Sequence, residues 1–175
     1  EQFTRSPTRL DGTLTVPAQV RVVYSADLTP QATVSRVTLS AYRPGATDTM
    51  AAQRAVVVFS GDSIFSENTM GDSTQTRRTA TTMGAIPYLN PSFALVEQIL
   101  RRARVIGGDS VTVPVVPSGT NGQTVAATVR WMRPDSVLIT LGTTRMRLLA
   151  DTAGRVLGGG IPDQNVTVIR TSGMP

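Results

Sequence analysis

Residues 18–28, AQVRVVYSADL, and residues 34–42, VSRVTLSAY, alternate apolar and polar side chains one by one. A two-residue period puts every second side chain on the same face of an extended strand. In the first run Ala18, Val20, Val22, Tyr24, Ala26 and Leu28 share a face; in the second Val37, Leu39 and Ala41 do. Thr29-Pro30 and Arg43-Pro44-Gly45 punctuate them as turns. The pattern recurs at 53–59, 64–69, 74–82, 110–116, 124–133, 136–141, 144–150, 155–157 and 165–170. Residues 53–59, QRAVVVF, are apolar on both faces, as a strand covered on both sides would be. Residues 74–82 are polar and Thr-rich, as an edge strand would be. Pro114 marks 110–116 as an edge or a bulged strand. Asn121-Gly122 signals a hairpin turn, and Gly158-Gly159-Gly160 with Pro162 breaks the pattern. About ten short strands joined by tight turns predict a mainly β chain: a curved antiparallel half-barrel or barrel.

One segment obeys a different period. Residues 90–108, NPSFALVEQILRRARVIGG, predict an amphipathic helix over about 91–105. Asn90 suits the N-cap, Pro91 the first helical position and Gly107-Gly108 the stop. Phe93, Leu95, Val96, Ile99, Leu100, Ala103 and Ile106 fill one wide arc, and Glu97, Gln98, Arg101 and Arg104 the other. Glu97 precedes Arg101 by one helical turn, a favourable pairing. The expectation is a central helix whose apolar arc fills the concave face of the sheet and whose charged side stays in water.

A chain of 175 residues predicts a single domain, 1–175, able to bury a core without staples. It has no Cys and no His, and its 17 basic residues are all Arg. That removes thiol chemistry, disulfides and imidazole bases. Serine nucleophiles lose their usual partners too, and Ser63 in SGDSIF lies in turn-like sequence. Asp62, Glu67 and Asp72 suit turn bonds better than acid–base work, and with Asn68 they lack the regular spacing of a calcium loop. GGGIP lacks the spacing of a phosphate loop, and Asn165-Val166-Thr167 matches a glycosylation sequon in form alone. The chain is therefore read as no enzyme, with no cofactor and no metal.

The net charge of +5 raises the question of an anionic partner. The arginines are dispersed except at Arg77-Arg78 and Arg101-Arg102-Arg104, and no aromatic residue adjoins either cluster for stacking on bases. Nucleic acid is not expected; those five arginines are the candidate contacts for an acidic protein or an anionic membrane surface. No apolar run is long enough to span a bilayer. The abundance of Thr, Ser and Gly without Lys leans towards an exported chain, anchored, if at all, through a segment outside it.

Several strands, one helix, then a meander running into MRLLADTAGRVLGGG: this order resembles the periplasmic half-barrel proteins. That group includes uncharacterised exported bacterial families and, more distantly, the lipoprotein-localisation carriers. The hairpin LLxDxxGRVL at 148–157, with Asp151 and Gly154 in its turn, carries the resemblance with the element order. It implies an extracytoplasmic location, periplasmic or secreted, and a binding or structural role. Two functions follow. One is a non-enzymatic structural or interaction module, an accessory subunit or domain of a larger assembly, its partner another protein or a membrane-associated complex. The other is a carrier or sensor for an apolar ligand such as a lipid, held in the concave face among Tyr24, Phe93, Leu100, Val129 and Trp131.

Overall fold

A computed structural model describes residues 1–45, 51–120 and 122–171; Asn121 of the Asn-Gly signal lies outside them. The chain is mainly β, as expected, and curls into a half-barrel of two seven-stranded sheets around one helix. The first sheet is a meander: β1 (Gln2–Arg5), β2 (Arg9–Val16), β3 (Val20–Leu28), β4 (Val34–Tyr42), β5 (Gln53–Ser60), β6 (Ser63–Met70) and β7 (Ser73–Ala80), each antiparallel to the next. Then come β8 (Ile86–Tyr88) and the helix α1 (Phe93–Ile106). The second sheet continues with β9 (Ser110–Pro117), β10 (Val125–Arg133), β11 (Ser136–Leu141), β12 (Thr144–Ala150), β13 (Val156–Ile161) and, after a 3₁₀ turn at Pro162–Gln164, β14 (Val166–Ile169). Its order is β14 to β8 without a break, antiparallel except where β8 runs parallel to β9. A helical crossover is what a parallel neighbour demands, and α1 provides it.

The described residues form fourteen strands rather than about ten; β1, β2 and β8 are the additions. β2 carries Gly12 in mid-strand opposite Tyr24. A Cβ on Gly12 would sit 2.3 Å from the Tyr24 ring, so glycine is there to admit an aromatic side chain. β13 runs through the Gly158-Gly159-Gly160 run expected to break it. Gly159 has φ +123 and a Cβ there would lie 2.2 Å from the Arg147 carbonyl oxygen, so the triplet permits close strand approach beside a register shift. β5 is half-buried along its length rather than covered on both sides. Pro114 sits inside the sheet rather than at its edge; β8 reaches only Val115–Pro117, so Pro114 needs no ladder bond on that side.

The helix carries the largest correction. Its N-cap is Ser92, whose hydroxyl accepts from the Leu95 N–H, whereas Asn90 accepts from the Tyr88 hydroxyl at 3.0 Å. The Glu1 carboxylate reinforces the cap, accepting from the Phe93 and Ala94 N–H groups and from the Ser92 and Tyr24 hydroxyls. A carboxylate satisfies orphan donors and the positive end of the helix dipole together. Burial first, then the Glu1 charge and the bond donated to it, push the Tyr24 hydroxyl far above its ordinary range, so it stays a donor.

Val96, Ile99, Leu100 and Ala103 pack into the core of the second sheet with Val113, Val129, Ile139 and Met146. Ala94 and Leu95 pack into a separate core of the first sheet with Leu10, Tyr24, Ala26 and Val37. Because α1 is covered from both sides, Glu97 and Gln98 are buried, each only 1% exposed, instead of facing water. Glu97 accepts from the Val156 N–H at 2.9 Å and from Arg170 at 2.6 Å, and so does not pair with Arg101. Gln98 accepts from Arg5 and donates to the Ala32 carbonyl. Arg5 also donates to the Ala94 carbonyl; burial, with the nearby Arg101 charge, lowers its pKa to about 10 against the opposing pull of Glu97. It therefore remains charged near neutral pH. Ile106, at the far end of the expected apolar arc, is 46% exposed.

Two measurements test this architecture. Leu100→Asp buries an unpaired charge at a fully enclosed site and is expected to cost about 3 kcal/mol or more in denaturant unfolding. A variant that unfolded like the parent would show that this helix face is not core. The second concerns the hairpin turn between β12 and β13. Partial burial works to raise the Asp151 carboxyl, but the Arg155 N–H, the Arg155 guanidinium and the Ala153 N–H outweigh it and hold it below its ordinary 3.8. A folded-state value below the unfolded one adds stability above 3.8 that is lost as pH falls through the lower folded value. The stability gap between the parent and Asp151→Asn is expected to be widest at neutral pH and to close in that acid range. A gap unchanged from neutral to acid pH would show that the charge does not hold the turn.

Candidate functional site: an amphipathic groove

Strand alternation brings the first sheet's concave face together from side chains two residues apart on four strands. The register sets them in rows. Val37 on β4 lies opposite Val57 on β5, then Ser66 on β6, then Arg77 on β7. Leu39, Ala55, Asn68 and Gln75 form the next row, and Phe59, Ile64 and Thr79 the one on the other side. Every row runs from apolar on β4–β5 towards hydrogen-bonding groups on β6–β7. Leu95 of α1, Tyr88 and Leu89 after β8, and the Val116–Gly119 stretch make the facing wall. The groove between them encloses about 330 Å³ and is open along one side. This is at the low end of ligand-pocket volumes, roughly 300–1,000 Å³.

The cause of the opening is the length of the helix. Its first turn covers β2–β4 through Ala94 and Leu95, and the rest turns to the second sheet. The concave side of β5–β7 is left with a small third cluster, Ile64, Ala85 and Val116 with Val57 and Phe59 against it. Within the groove, Gln53 donates to Asn68 at 2.9 Å. Among the described residues its lining holds one cation, Arg77, and no acidic residue. Arg77 is exposed and makes no ion pair with the described residues.

The ten residues singled out from sequence fall in different places. Arg77 and Arg78 are adjacent on a strand and so face opposite sides: Arg77 the groove, Arg78 the convex face, where it stacks 5.1 Å from the Phe65 ring centre. Arg102 donates to the Gln31 carbonyl, Arg101 packs against Gly154, and Arg104 lies 3.5 Å over the Trp131 ring. Neither cluster forms a single patch, because strand and helix geometry turn neighbouring side chains apart. Leu100 and Val129 are sealed in the second core and Tyr24 in the first. Phe93 and Trp131 pack at the margin of the second. The five apolar residues therefore do not surround a shared void, since the helix divides them between two cores.

That 53–59 and 74–82 are strands was readable in sequence, but that their inner faces share one groove depends on pairing across four strands. Asp62 and Asp72 lie at opposite ends of β6, and among the described residues no three acidic side chains gather as a metal site. A second cleft, of about 750 Å³, opens between β1 and β14. Its charged side chains are already engaged, Glu97 with Arg170 and Glu1 with the first-turn amides of α1.

Among the described residues no helix is long and apolar enough to cross a membrane. No protein-family model matches the chain, and no curated protein does. The fold is similar to a solved structure, that of a DUF1089 family protein from Pseudomonas aeruginosa, with a TM-score of 0.67. The likeness covers 97% of this chain and 90% of that one at 11% sequence identity, and it establishes a shared architecture.

Proposed function

We propose that this chain is a non-catalytic extracytoplasmic carrier or sensor that holds an apolar chain in the groove on the concave face of β4–β7. The observation that carries this reading is the apolar lane formed by Val37, Leu39, Ala55, Val57 and Phe59, open on one side and backed by Leu95. A well-packed fold closes such a lane unless something else fills it, because apolar surface left in water costs about 25 cal/mol per Å². At about 30 Å³ per small group, 330 Å³ holds on the order of ten methylenes, the scale of one chain. The composition and the resemblance to periplasmic half-barrels support the location. The likeness to lipoprotein-localisation carriers is part of this proposal; a single helix here would leave the groove open where a fuller lid would close it.

The other reading, an interaction module, draws on the outer corner of the second sheet. Leu149 and Ile169 both pair with Gly158, and with Leu157 they are 48%, 78% and 46% exposed. Adjacent exposed apolar side chains of this kind mark contact surfaces.

Ala55→Trp separates the two. It fills the floor of the groove far from that corner. The parent is expected to bind a fluorescent single-chain lipid probe saturably, and the variant to bind about tenfold more weakly or worse while melting with the parent. A parent that bound no apolar probe, or a variant that bound it equally well, would remove the carrier reading.

A further inference from the structure

We infer that the occupant of the groove is a single-chain amphiphile with an anionic carboxylate head, and that Arg77 reads that head. The inference rests on the carrier reading above and adds the ligand's class to it. Its basis is the direction of the rows. From Val57 through Ser66 to Arg77, and from Ala55 through Asn68 to Gln75, apolar contact gives way to hydrogen-bonding groups across three neighbouring strands. At the usual strand spacing of about 4.8 Å, that change takes place over roughly 10 Å. An occupant that matched it would be apolar at one end and polar at the other.

The sign of the polar end follows from charge. Arg77 is the one charged side chain among the described lining residues, and Glu67 and Asp72 are not part of that lining. Glu67, paired with Thr76, alternates to the other face of β6. Several arginines are occupied, Arg9 by Asp11 and Asp27, Arg155 by Asp151, Arg170 by Glu97 and Arg104 by Trp131, whereas others, Arg54 and Arg147 among them, are not occupied by the described residues. What sets Arg77 apart is its place in the groove lining, where it makes no ion pair with the described residues. Low-dielectric walls on one side strengthen its field towards an incoming anion. The planar fork of a guanidinium matches the two oxygens of a carboxylate. Gln75, two residues before it on the same face, and Ser66 opposite offer further hydrogen-bonding groups to a small head.

The test uses three probes with the same chain below their aggregation concentrations: dodecanoate, dodecanol and dodecyltrimethylammonium, titrated calorimetrically into the parent, Arg77→Gln and Arg78→Gln. Arg77 is exposed and Arg78 faces away, so both variants are expected to fold. The parent is expected to prefer dodecanoate over dodecanol by about tenfold or more, and the cation least. Arg77→Gln should bring dodecanoate to the level of dodecanol and leave dodecanol unchanged. Arg78→Gln should leave all three as in the parent. The preference should also shrink as salt rises, since screening reaches about 8 Å at physiological ionic strength. If dodecanoate and dodecanol bind the parent equally, or Arg77→Gln keeps the preference, the head assignment is wrong while the groove stands. If none of the three binds, the carrier reading falls with it.

Discussion

The helix α1 is enclosed on both sides, and the two sheets are joined through it. Val96, Ile99, Leu100 and Ala103 belong to one core; Ala94 and Leu95 belong to the other. Enclosure forces the intervening side chains, Glu97 and Gln98, out of water, and a buried carboxylate is tolerated only with partners. The partners come from both ends of the chain: Arg5 on β1, with Val156 on β13 and Arg170 just beyond β14. The Glu1 carboxylate at the helix N-terminus does the same for the first-turn amides. Removing the Glu97 carboxylate alone would leave Arg5, whose side chain is 12% exposed, with hydrogen bonds but no acidic partner, which destabilises the fold.

The same arrangement creates the candidate site. A helix of 14 residues cannot line the whole concave surface of two seven-stranded sheets. It fills the second sheet and the β2–β4 part of the first, and leaves the inner face of β5–β7 only partly covered. There the sequence changes from Val, Ala and Phe to Ser, Asn, Gln, Thr and Arg across successive strands. Apolar side chains on β5 face the groove because they have no helix to pack against, and polar ones on β7 because they reach the open side. Binding by such a surface would need little rearrangement, since β5, β6 and β7 are held by full antiparallel ladders.

The charge pattern is reinterpreted by the fold. A net charge of +5 looked like a search for an anionic surface, yet most of the arginines support structure or lie apart. Arg5 and Arg170 serve the helix, Arg102 bonds the turn after β3, and Arg104 covers Trp131. Separation of Arg77 from Arg78 by the strand pleat leaves one cation in the groove, suited to one small anion and unsuited to an extended polyanion.

Sequence alone determined the class of structure. Period-two alternation at 18–28 and 34–42 marked strands because it places apolar side chains on one face whatever the strand pairs with. The wide apolar arc of 93–103 marked a central helix because few surfaces but a curved sheet can cover it. Local signals failed where a distant residue set the local conformation: the glycine run at 158–160 reads as a break, yet the close approach of the Arg147 backbone makes it a strand. They also failed where exposure depended on a second layer, as for Glu97 and Gln98, which read as solvent-facing until a second sheet covered them. The groove was the least legible feature. Its residues on β4–β7 were assigned to strands, though Pro87 and Tyr88 of β8 were read as loop; which faces meet is fixed by register across four strands and by where the helix stops, and both are properties of the assembled fold.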